Sequence, residues 1–346
     1  MINNEVLPVQ YKFSGKNISC FFDADFSLVE KKLQKHNTIF ITDENIFAAH
    51  TEKFSGWQTI VIKAGEQFKN QQTVDSVISQ LINLDADRQT FIVGVGGGVV
   101  TDIAGFVASV YMRGVKFAFI PTSILAMVDA GIGGKNGVDV GVYKNIVGVI
   151  NHPEFLLYDY SFLETLPDEE WVNGFAEIIK HACIKDSEMF HFLEEYSLMK
   201  FQSSPDDTAA IIKKNVDIKF SVVSGDERET GKRKLLNFGH TIGHAIENAG
   251  NLAHGHAISI GMAAACRISE EVNSFSEAET KRVTELLTRY ELPVVFRSDK
   301  QKTWEILQHD KKKSGSNMSF IVLDKIGKAS IKSISLDHLY KIFNSI

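Results

Sequence analysis

The amino-acid sequence predicts an α/β amino-terminal domain built on a parallel sheet, followed by a mostly α-helical carboxy-terminal domain. Three observations predict this fold class. The first half of the chain alternates short apolar runs with longer amphipathic ones, the pattern of a parallel sheet covered by helices. One apolar run ends in a cluster of glycines, and beyond residue 160 long segments of helical period replace the alternation. The 346 residues are enough for two domains, which we place at 1–160 and 161–346.

The first half predicts strands and helices in alternation. Buried strands are expected at the apolar runs 38–42, 59–62, 91–95 and 116–121. Helices are expected at the amphipathic runs 44–54, 73–84 and 99–112. The segment from Gly131 to Gly148 contains too many turn formers for a regular element, so we expect an irregular active-site loop there.

The second half predicts helices at 168–185, 206–223, 238–248, 257–273 and 276–290. Near the end of the chain, Ser319–Leu323 and Lys328–Ile334 flank Ile326 and Gly327 and predict a small hairpin.

Composition excludes several classes of protein. The formal net charge of -6 argues against a general nucleic-acid or anionic-membrane binder, because such proteins need a positive field. No apolar run has the roughly 20 residues that a bilayer crossing requires, and no leader peptide is evident. Three widely spaced cysteines suggest reduced, buried thiols. We therefore expect a cytoplasmic protein that binds neither nucleic acid nor membrane.

The glycine cluster lies where the strand predicted at 91–95 passes into a helical pattern. Gly96, Gly97 and Gly98 lack Cβ atoms, so their backbone N–H groups can approach a pyrophosphate, which the helix terminus also attracts. Val99 occupies the third glycine position of the usual dinucleotide fingerprint, so glycines required only for a tight turn are the alternative. Residues 42–45 and 65–69 follow the first two predicted strands and are either ribose or adenine binders or simple helix caps.

A second cluster combines a glutamate with several histidines. Glu177 and Lys180 lie on one stripe of a predicted helix and point the same way. A later predicted helix presents Asn237, His240 and His244 on one face. Two more histidines, His254 and His256, follow that helix. One glutamate and two histidines with an open position would suit zinc, with cobalt as the alternative. The competing interpretation is that each histidine is an ordinary core or surface residue.

Several cations accompany these clusters in an otherwise acidic chain. Lys135, Lys144 and Asn145 lie in the glycine-rich segment, Lys219 lies on a predicted helix, and Arg233 precedes the histidine helix. Each alone is more often a solvated surface residue. Together they would supply the local donors that a phosphate and a carboxylate require.

Taken together, these stretches resemble the 3-dehydroquinate synthase family along nearly the whole chain. The segments that carry the resemblance are Gly96–Gly114, Pro121–Asp129, Gly133–Lys135, Lys144–Asn145, Gly174–Lys180 and Leu236–Glu247. Four positions depart from the family pattern: His256 stands where glutamate is common, Tyr143 replaces a glycine, and Ala130–Gly131 replaces two serines. His254 and His256 therefore both stay candidates for the third metal position.

The resemblance implies a role for each matching residue. The metal ligands would be Glu177, His240 and His254, and the catalytic residues His244, which would act in proton transfer, Lys180 and Lys135. The NAD pocket would be lined by Asp43, Glu66, Lys69, Gly96, Gly97, Gly98, Asp102, Thr122, Ser123, Asp129, Lys135 and Lys144. The substrate would be held by Arg113, Lys135, Asn145, Lys180, Lys219, Arg233, Asn237 and Lys312.

The resemblance also implies a reaction and an assembly. The substrate would be 3-deoxy-D-arabino-heptulosonate 7-phosphate, converted to 3-dehydroquinate and phosphate by transient oxidation, phosphate elimination, reduction and intramolecular aldol closure. In the family the position of Arg113 reaches the neighbouring subunit's phosphate site, so a homodimer is expected. The alternatives are a cyclase for sedoheptulose 7-phosphate, a metal-dependent polyol dehydrogenase, and an inactive dinucleotide-binding protein.

Overall fold

The computed structural model describes residues 6–13, 15–141, 143–250, 252–295, 299–311 and 317–345. The chain forms two compact units. The first unit comprises residues 1–167 and 208–227, and the second comprises residues 168–207 and 228–346. The sequence predicts a boundary near residue 160, whereas the chain passes between the units at residues 167, 207 and 227. A segment from the second half of the sequence therefore folds with the first unit.

A seven-stranded sheet forms the centre of the first unit within the described residues. Its strands are β1 (Val9–Lys12), β2 (Asn17–Phe21), β3 (Thr38–Asp43), β4 (Gln58–Ile62), β5 (Phe91–Gly96), β6 (Lys116–Pro121) and β9 (Phe155–Leu157). They follow the order β1-β2-β9-β6-β5-β3-β4, and every pairing is parallel except that of β1 with β2. The predicted parallel sheet is confirmed, and the carboxyl ends of β4, β3, β5 and β6 lie along one edge.

Helices cover this sheet: α1 (Ser27–Lys32), α2 (Glu44–Ala49), α3 (Gln71–Asn83) and α4 (Gly98–Val110). The helix α8 (Pro205–Ser224) crosses from the second unit into the first after residue 207. Aromatic and branched side chains from the sheet and its flanks, including Phe40, Val93, Ile120 and Phe162, form one buried cluster. This buried cluster stabilises the strands and so fixes the positions of their carboxyl ends.

The glycine-rich segment is a β-hairpin, so the expectation of an irregular loop at 131–148 is wrong. Its strands are β7 (Lys135–Val140) and β8 (Tyr143–Ile150), which pair antiparallel. Gly137 faces Gly148 across the hairpin, and a Cβ on either would lie 2.7 or 2.5 Å from a backbone oxygen of the opposite strand. These glycines therefore permit close approach of two strands and do not mark turns.

The second unit is mostly helical, as predicted. Its helices are α5 (Asp168–Lys185), α6 (Ser187–Glu195), α7 (Leu198–Gln202), α9 (His240–Gly250), α10 (His254–Val272), α11 (Glu277–Arg289), α12 (Lys300–Lys311) and α13 (Leu336–Ser345). The predicted terminal hairpin is confirmed as β10 (Asn317–Lys325) and β11 (Lys328–Ser335). No helix in the described ranges has both the length and the apolar character needed to cross a membrane.

Local signals explain where these helices begin. Three acidic residues, Asp168, Glu169 and Glu170, occupy the first turn of α5, where they complement the helix dipole. Ser276 caps α11, and Glu279 returns a hydrogen bond to complete a capping box. Lys185 places a basic residue in the last turn of α5, so both ends carry such signals, and the observed bounds of α5 equal the predicted ones.

Candidate active site

One glutamate and two histidines converge in the second unit. Glu177 is fully buried on α5, while His240 and His254 are the first residues of α9 and α10. The Nε2 atoms of His240 and His254 lie 3.5 and 3.4 Å from Oε1 of Glu177. Their three potential ligand atoms all lie within 4.8 Å of one another. Among the described residues, His256 has no place in this cluster.

The remaining imidazole nitrogens of these histidines also have partners. His240 directs Nδ1 at the carbonyl oxygen of Phe238, 3.1 Å away. Nδ1 of His254 lies 3.6 Å from Oε2 of Glu247 on α9. Such outer contacts fix the tautomer and orientation of a ligating imidazole. Sequence reasoning missed Glu247, although it follows His240 by seven residues and therefore shares its helix face.

Glycines bring α9 and α10 close enough to place the two histidines together. A Cβ on Gly261 of α10 would lie 2.0 Å from the carbonyl oxygen of Gly239, the residue just before His240. Gly243 makes a similar approach to α10, with a Cβ at 3.0 Å from the Ala257 oxygen. The histidine rings of positions 240 and 254 consequently lie 5.6 Å apart between centroids.

The start of α10 is held against α5 in the same way. The N–H of Gly255 donates a hydrogen bond to the side-chain oxygen of Asn173, and a Cβ on Gly255 would lie 2.4 Å from the Asn173 carbonyl oxygen. Asn173 precedes Glu177 by one helical turn. His254 is thus fixed beside the carboxylate by backbone packing on both sides of it.

The charges of this cluster favour a cation between the carboxylates of Glu177 and Glu247. Burial opposes ionisation, but the Lys180 ammonium and the two imidazoles hold the pKa of Glu177 well below its usual range. Burial, followed by the Lys180 charge, lowers the pKa of His240 well below its usual range, so this imidazole is neutral. Despite burial, hydrogen bonds to Glu177 and Glu247 raise the pKa of His254 to about 10. A positive charge is therefore stabilised next to Glu177.

His244 and Lys180 flank this cluster. The ring of His244 lies 5.2 Å from that of His240 and 6.2 Å from that of His254, so the three imidazoles are neighbours. Lys180 is buried on the same helix as Glu177 and donates a hydrogen bond to Oε2 of that carboxylate. His244, whose imidazole can transfer a proton, and the buried ammonium of Lys180 thus lie beside the Glu177 cluster.

The first unit places the glycine cluster at the amino end of α4. Gly97 is the N-cap of α4 and provides no side-chain hydrogen bond to the helix N–H groups. A Cβ on Gly97 would lie 3.5 Å from Oγ of Ser123, and one on Gly98 would lie 3.3 Å from the Ala130 Cβ. Ser123 and Thr122 follow β6, and the Thr122 N–H donates to the Gly96 carbonyl at 3.0 Å. A helix terminus with this lining suits a phosphate group.

Charged side chains predicted for the cofactor pocket form a chain of ion pairs near this terminus. Lys69 is buried and pairs with Asp102 at 2.6 Å and with Glu66 at 3.9 Å. Lys144 pairs with the same glutamate at 2.9 Å. Although burial opposes it, the Asp102 carboxylate raises the pKa of Lys69. Asp43 instead accepts hydrogen bonds from Asn45 and Ile46 and caps α2, which is the simpler of its two predicted roles.

The residues expected at the substrate are distributed over both units. Lys219 donates to both the carbonyl and the carboxylate of Asp129, at 2.6 and 2.5 Å. The first unit exposes Lys135 on β7, Asn145 on β8 and Arg113 after α4. In the second unit, Arg233 is buried in a 3-10 turn and Asn237 donates to Glu229. Lys312 lies outside the described residues.

Comparison with solved structures defines a class of enzyme. A 2-deoxy-scyllo-inosose synthase complexed with carbaglucose-6-phosphate, NAD+ and Co2+ has a TM-score of 0.86 and 27% identity, covering 98% of this chain and 99% of that one. A 2-epi-5-epi-valiolone synthase from Streptomyces hygroscopicus with NAD+ and Zn2+ bound also has a TM-score of 0.86, at 26% identity, covering 96% and 97%. The fold is therefore that of the sugar phosphate cyclases.

Sequence comparison identifies the family within that class. Residues 59–173 match the amino-terminal part of 3-dehydroquinate synthase, and residues 174–313 match its carboxy-terminal part. The 3-dehydroquinate synthase of Pyrococcus furiosus is 38% identical over 313 residues, covering 87% of this chain and 90% of that protein. The chain belongs to the 3-dehydroquinate synthase family.

Proposed function

We propose that this protein converts 3-deoxy-D-arabino-heptulosonate 7-phosphate into 3-dehydroquinate and phosphate. The observation that carries the proposal is the cluster of Glu177, His240 and His254 in a chain of this family. The carboxylate and imidazole donors, each with a defined geometry, match what a catalytic zinc or cobalt ion requires. The uncapped amino end of α4 and the glycines before it match what a dinucleotide pyrophosphate requires.

Each proposed cofactor has a place among these residues. Glu177, His240 and His254 would hold the divalent ion, and Gly96, Gly97, Gly98, Asp102, Thr122 and Ser123 would line the pyrophosphate end of NAD. When bound, NAD supplies a reversible hydride acceptor and the ion polarises a substrate hydroxyl oxygen.

The chain's own residues bind the substrate's anionic groups and move its proton. Arg233 is buried and has a planar guanidinium, so it suits bidentate binding of a carboxylate or a phosphate. Asn237 and Lys180 would contribute further donors in the second unit. His244 is half-buried beside the Glu177 cluster and would transfer a proton during phosphate elimination and ring closure.

Lys219 supports the choice of substrate. A cyclase for a sugar phosphate without a carboxylate would not need Lys219, Arg233 and Asn237 together, whereas one for a substrate that carries both a carboxylate and a phosphate would. Because Lys219 bonds Asp129 in this structure, we infer that it exchanges this partner for the substrate when the substrate binds.

We further propose that the protein is a homodimer and acts in the cytoplasm. The hairpin β7–β8 exposes the large apolar side chains of Tyr143, Ile146 and Ile150, at 61, 63 and 48% of their surface, and a contact with a second subunit would cover them. Arg113, which follows α4, is exposed with a left-handed backbone at φ 69°. The buried free thiols of Cys20, Cys183 and Cys266 are compatible with a reducing compartment.

The experiment that tests the reaction is phosphate release by the purified protein supplied with NAD, zinc and the heptulosonate phosphate. Sedoheptulose 7-phosphate is the parallel substrate, and absorbance at the NADH maximum is followed in both reactions. We expect phosphate from the heptulosonate alone without net NADH, and 3-dehydroquinate as the product. Release from sedoheptulose 7-phosphate alone would assign the protein to the sister cyclases, and stoichiometric NADH would make it a dehydrogenase.

A further inference from the structure

Asp139 occupies the junction between the hairpin and the cofactor residues, and it belongs to none of the sets described above. It lies near the end of β7, where the register of the hairpin shifts between Val138 and Val140. Its side chain is only 13% exposed. A mostly buried carboxylate at a strand irregularity is held there by its partners, and each of those partners can be identified.

One carboxylate oxygen of Asp139 holds the backbone of Asn145. The Asn145 N–H donates to Oδ1 of Asp139 at 2.7 Å. Asn145 has a left-handed backbone with φ 52°, a conformation that costs energy for any residue with a Cβ and that asparagine tolerates better than most. The hydrogen bond from Asp139 therefore stabilises a strained residue that the proposed function places at the substrate.

The second carboxylate oxygen faces a cofactor residue. Nζ of Lys144 lies 3.2 Å from Oδ2 of Asp139 and 2.9 Å from Oε1 of Glu66, and its side chain is 27% exposed. Burial opposes the charged form, but the Glu66 and Asp139 carboxylates raise the pKa of Lys144. Lys144 is thus held between two acidic residues from different segments of the chain.

The backbone of Asp139 completes the connection. Its N–H donates to the carbonyl oxygen of Lys69 at 2.9 Å, and Asn70 forms a parallel bridge with Asp139. Lys69 in turn pairs with Asp102 on α4. Asp139 therefore links the hairpin to the segment Glu66–Asn70 through its main chain while its side chain fixes Lys144 and Asn145.

We propose that Asp139 is a positioning residue. It holds Lys144, which we assign to the cofactor, and Asn145, which we assign to the substrate, in fixed positions relative to each other. The inference rests on the proposed function, because that function assigns Lys144 to the cofactor and Asn145 to the substrate. Asp139 itself is not among the residues that we assign to either ligand. It acts through Lys144 and Asn145 of β8.

Two substitutions separate the two contacts. Asp139→Asn retains a side-chain oxygen for the Asn145 N–H but removes the negative charge beside Lys144. Asp139→Ala removes both. We expect both variants to weaken NAD binding by about two- to fivefold, the range for a partly exposed ion pair. We expect only Asp139→Ala to raise KM for the heptulosonate phosphate, by about tenfold or more, with a smaller change in kcat. Rescue of KM by the asparagine is the signature of the Asn145 hydrogen bond.

Asp75→Ala is the matched control. Asp75 is an exposed residue of the same unit, and among the hydrogen bonds described its carboxylate contacts only Gln71 on its own helix, while Ser79 donates to its backbone carbonyl, which the substitution retains. We expect it to leave NAD affinity and KM at the wild-type values. Thermal melting of all variants establishes that each is folded before kinetics are compared.

Hydrogen–deuterium exchange of the peptide spanning 143–150 tests the inference without requiring turnover. Faster exchange at Asn145 in Asp139→Ala, with wild-type exchange in Asp139→Asn, supports the positioning role even if the proposed substrate is not turned over. Unchanged exchange in Asp139→Ala overturns it. In an active enzyme, equal KM values for Asp139→Ala and wild type also overturn it, and an inactive wild type counts only against the proposed function.

Discussion

The crossing of α9 and α10 makes a quantitative prediction for Gly261→Ala. The added methyl carbon would lie 2.0 Å from the Gly239 carbonyl oxygen and 2.8 Å from the Gly243 nitrogen, whereas ordinary contact begins at 3.4 Å. The helices must therefore separate by about 1.4 Å at this point, because both neighbours are backbone atoms. Gly239 directly precedes His240, so the displacement reaches the first potential ligand on α9.

Two opposing effects set the cost to stability. Overpacking of a core destabilises by about 1–3 kcal/mol. Alanine improves helix propensity over glycine by about 1 kcal/mol, which offsets part of this loss. Metal binding is more sensitive, since ligand distances tolerate only about 0.2 Å of error. We therefore expect a net loss of stability of about 0–2 kcal/mol but a loss of zinc affinity of about tenfold or more.

Metal-stripped protein titrated with zinc against a chromophoric chelator measures this affinity, and thermal melting followed by circular dichroism measures stability. Gly225→Ala is the matched control, because a Cβ there would meet nothing nearer than 3.9 Å. We expect Gly225→Ala to bind zinc as the wild type does. Wild-type zinc affinity in Gly261→Ala would refute the argument that the glycine crossing places His240 beside Glu177.

Three further predictions concern single side chains. Glu247→Gln should weaken zinc binding by about 10- to 100-fold while the fold is retained, because it removes the charged partner of the His254 Nδ1; unchanged affinity in the chelator titration would exclude this role. His244→Ala should lower kcat by about 10²- to 10⁴-fold with wild-type NAD and zinc affinity, and wild-type turnover would exclude proton transfer by this residue. Burial lowers the pKa of His50 in the folded state. As the pH falls below about 6.5, the ordinary pKa of histidine, the unfolded state therefore binds a proton at His50 before the folded state does. The contribution of His50 to stability is thus complete above that pH and is lost on acidification. Between pH 7.5 and pH 5.5 the melting temperature should therefore decrease less in His50→Gln than in the wild type. An equal decrease in the two proteins would contradict this role of His50.

Much of the fold could be predicted because its signals are local. The apolar runs of β3, β5 and β6 are buried on both faces, so their composition alone distinguishes them from the helices between them, whereas the edge strand β4 alternates buried and exposed residues. The predicted bounds of α5 match the observed ones because its acidic first turn and its apolar period both lie within the segment itself.

The structure of the glycine-rich segment could not be predicted because its glycines are required by residues that are close in space and not in sequence. Gly137 and Gly148 make room for each other across the hairpin, and Gly105 of α4 makes room for Asn136, which a Cβ would approach to 2.1 Å. A glycine required by a neighbour in space looks in sequence like a glycine required by a turn. The prediction of an irregular loop failed for this reason.

The sequence by itself determined the alternation of strands and helices, the family to which the chain belongs, and the chemical types available to its site. Tertiary structure alone decided which groups meet: that His254 and not His256 lies at the Glu177 carboxylate, that Glu247 contacts His254, and that Lys219 bonds Asp129. Periodicity and motif spacing are properties of neighbouring residues. The contacts of Glu177 with His254 and of Lys219 with Asp129 join residues far apart in the chain, and the contact of Glu247 with His254 joins two different helices. Their distances depend on how closely the elements that carry them approach each other, and where α9 meets α10 glycines permit that approach.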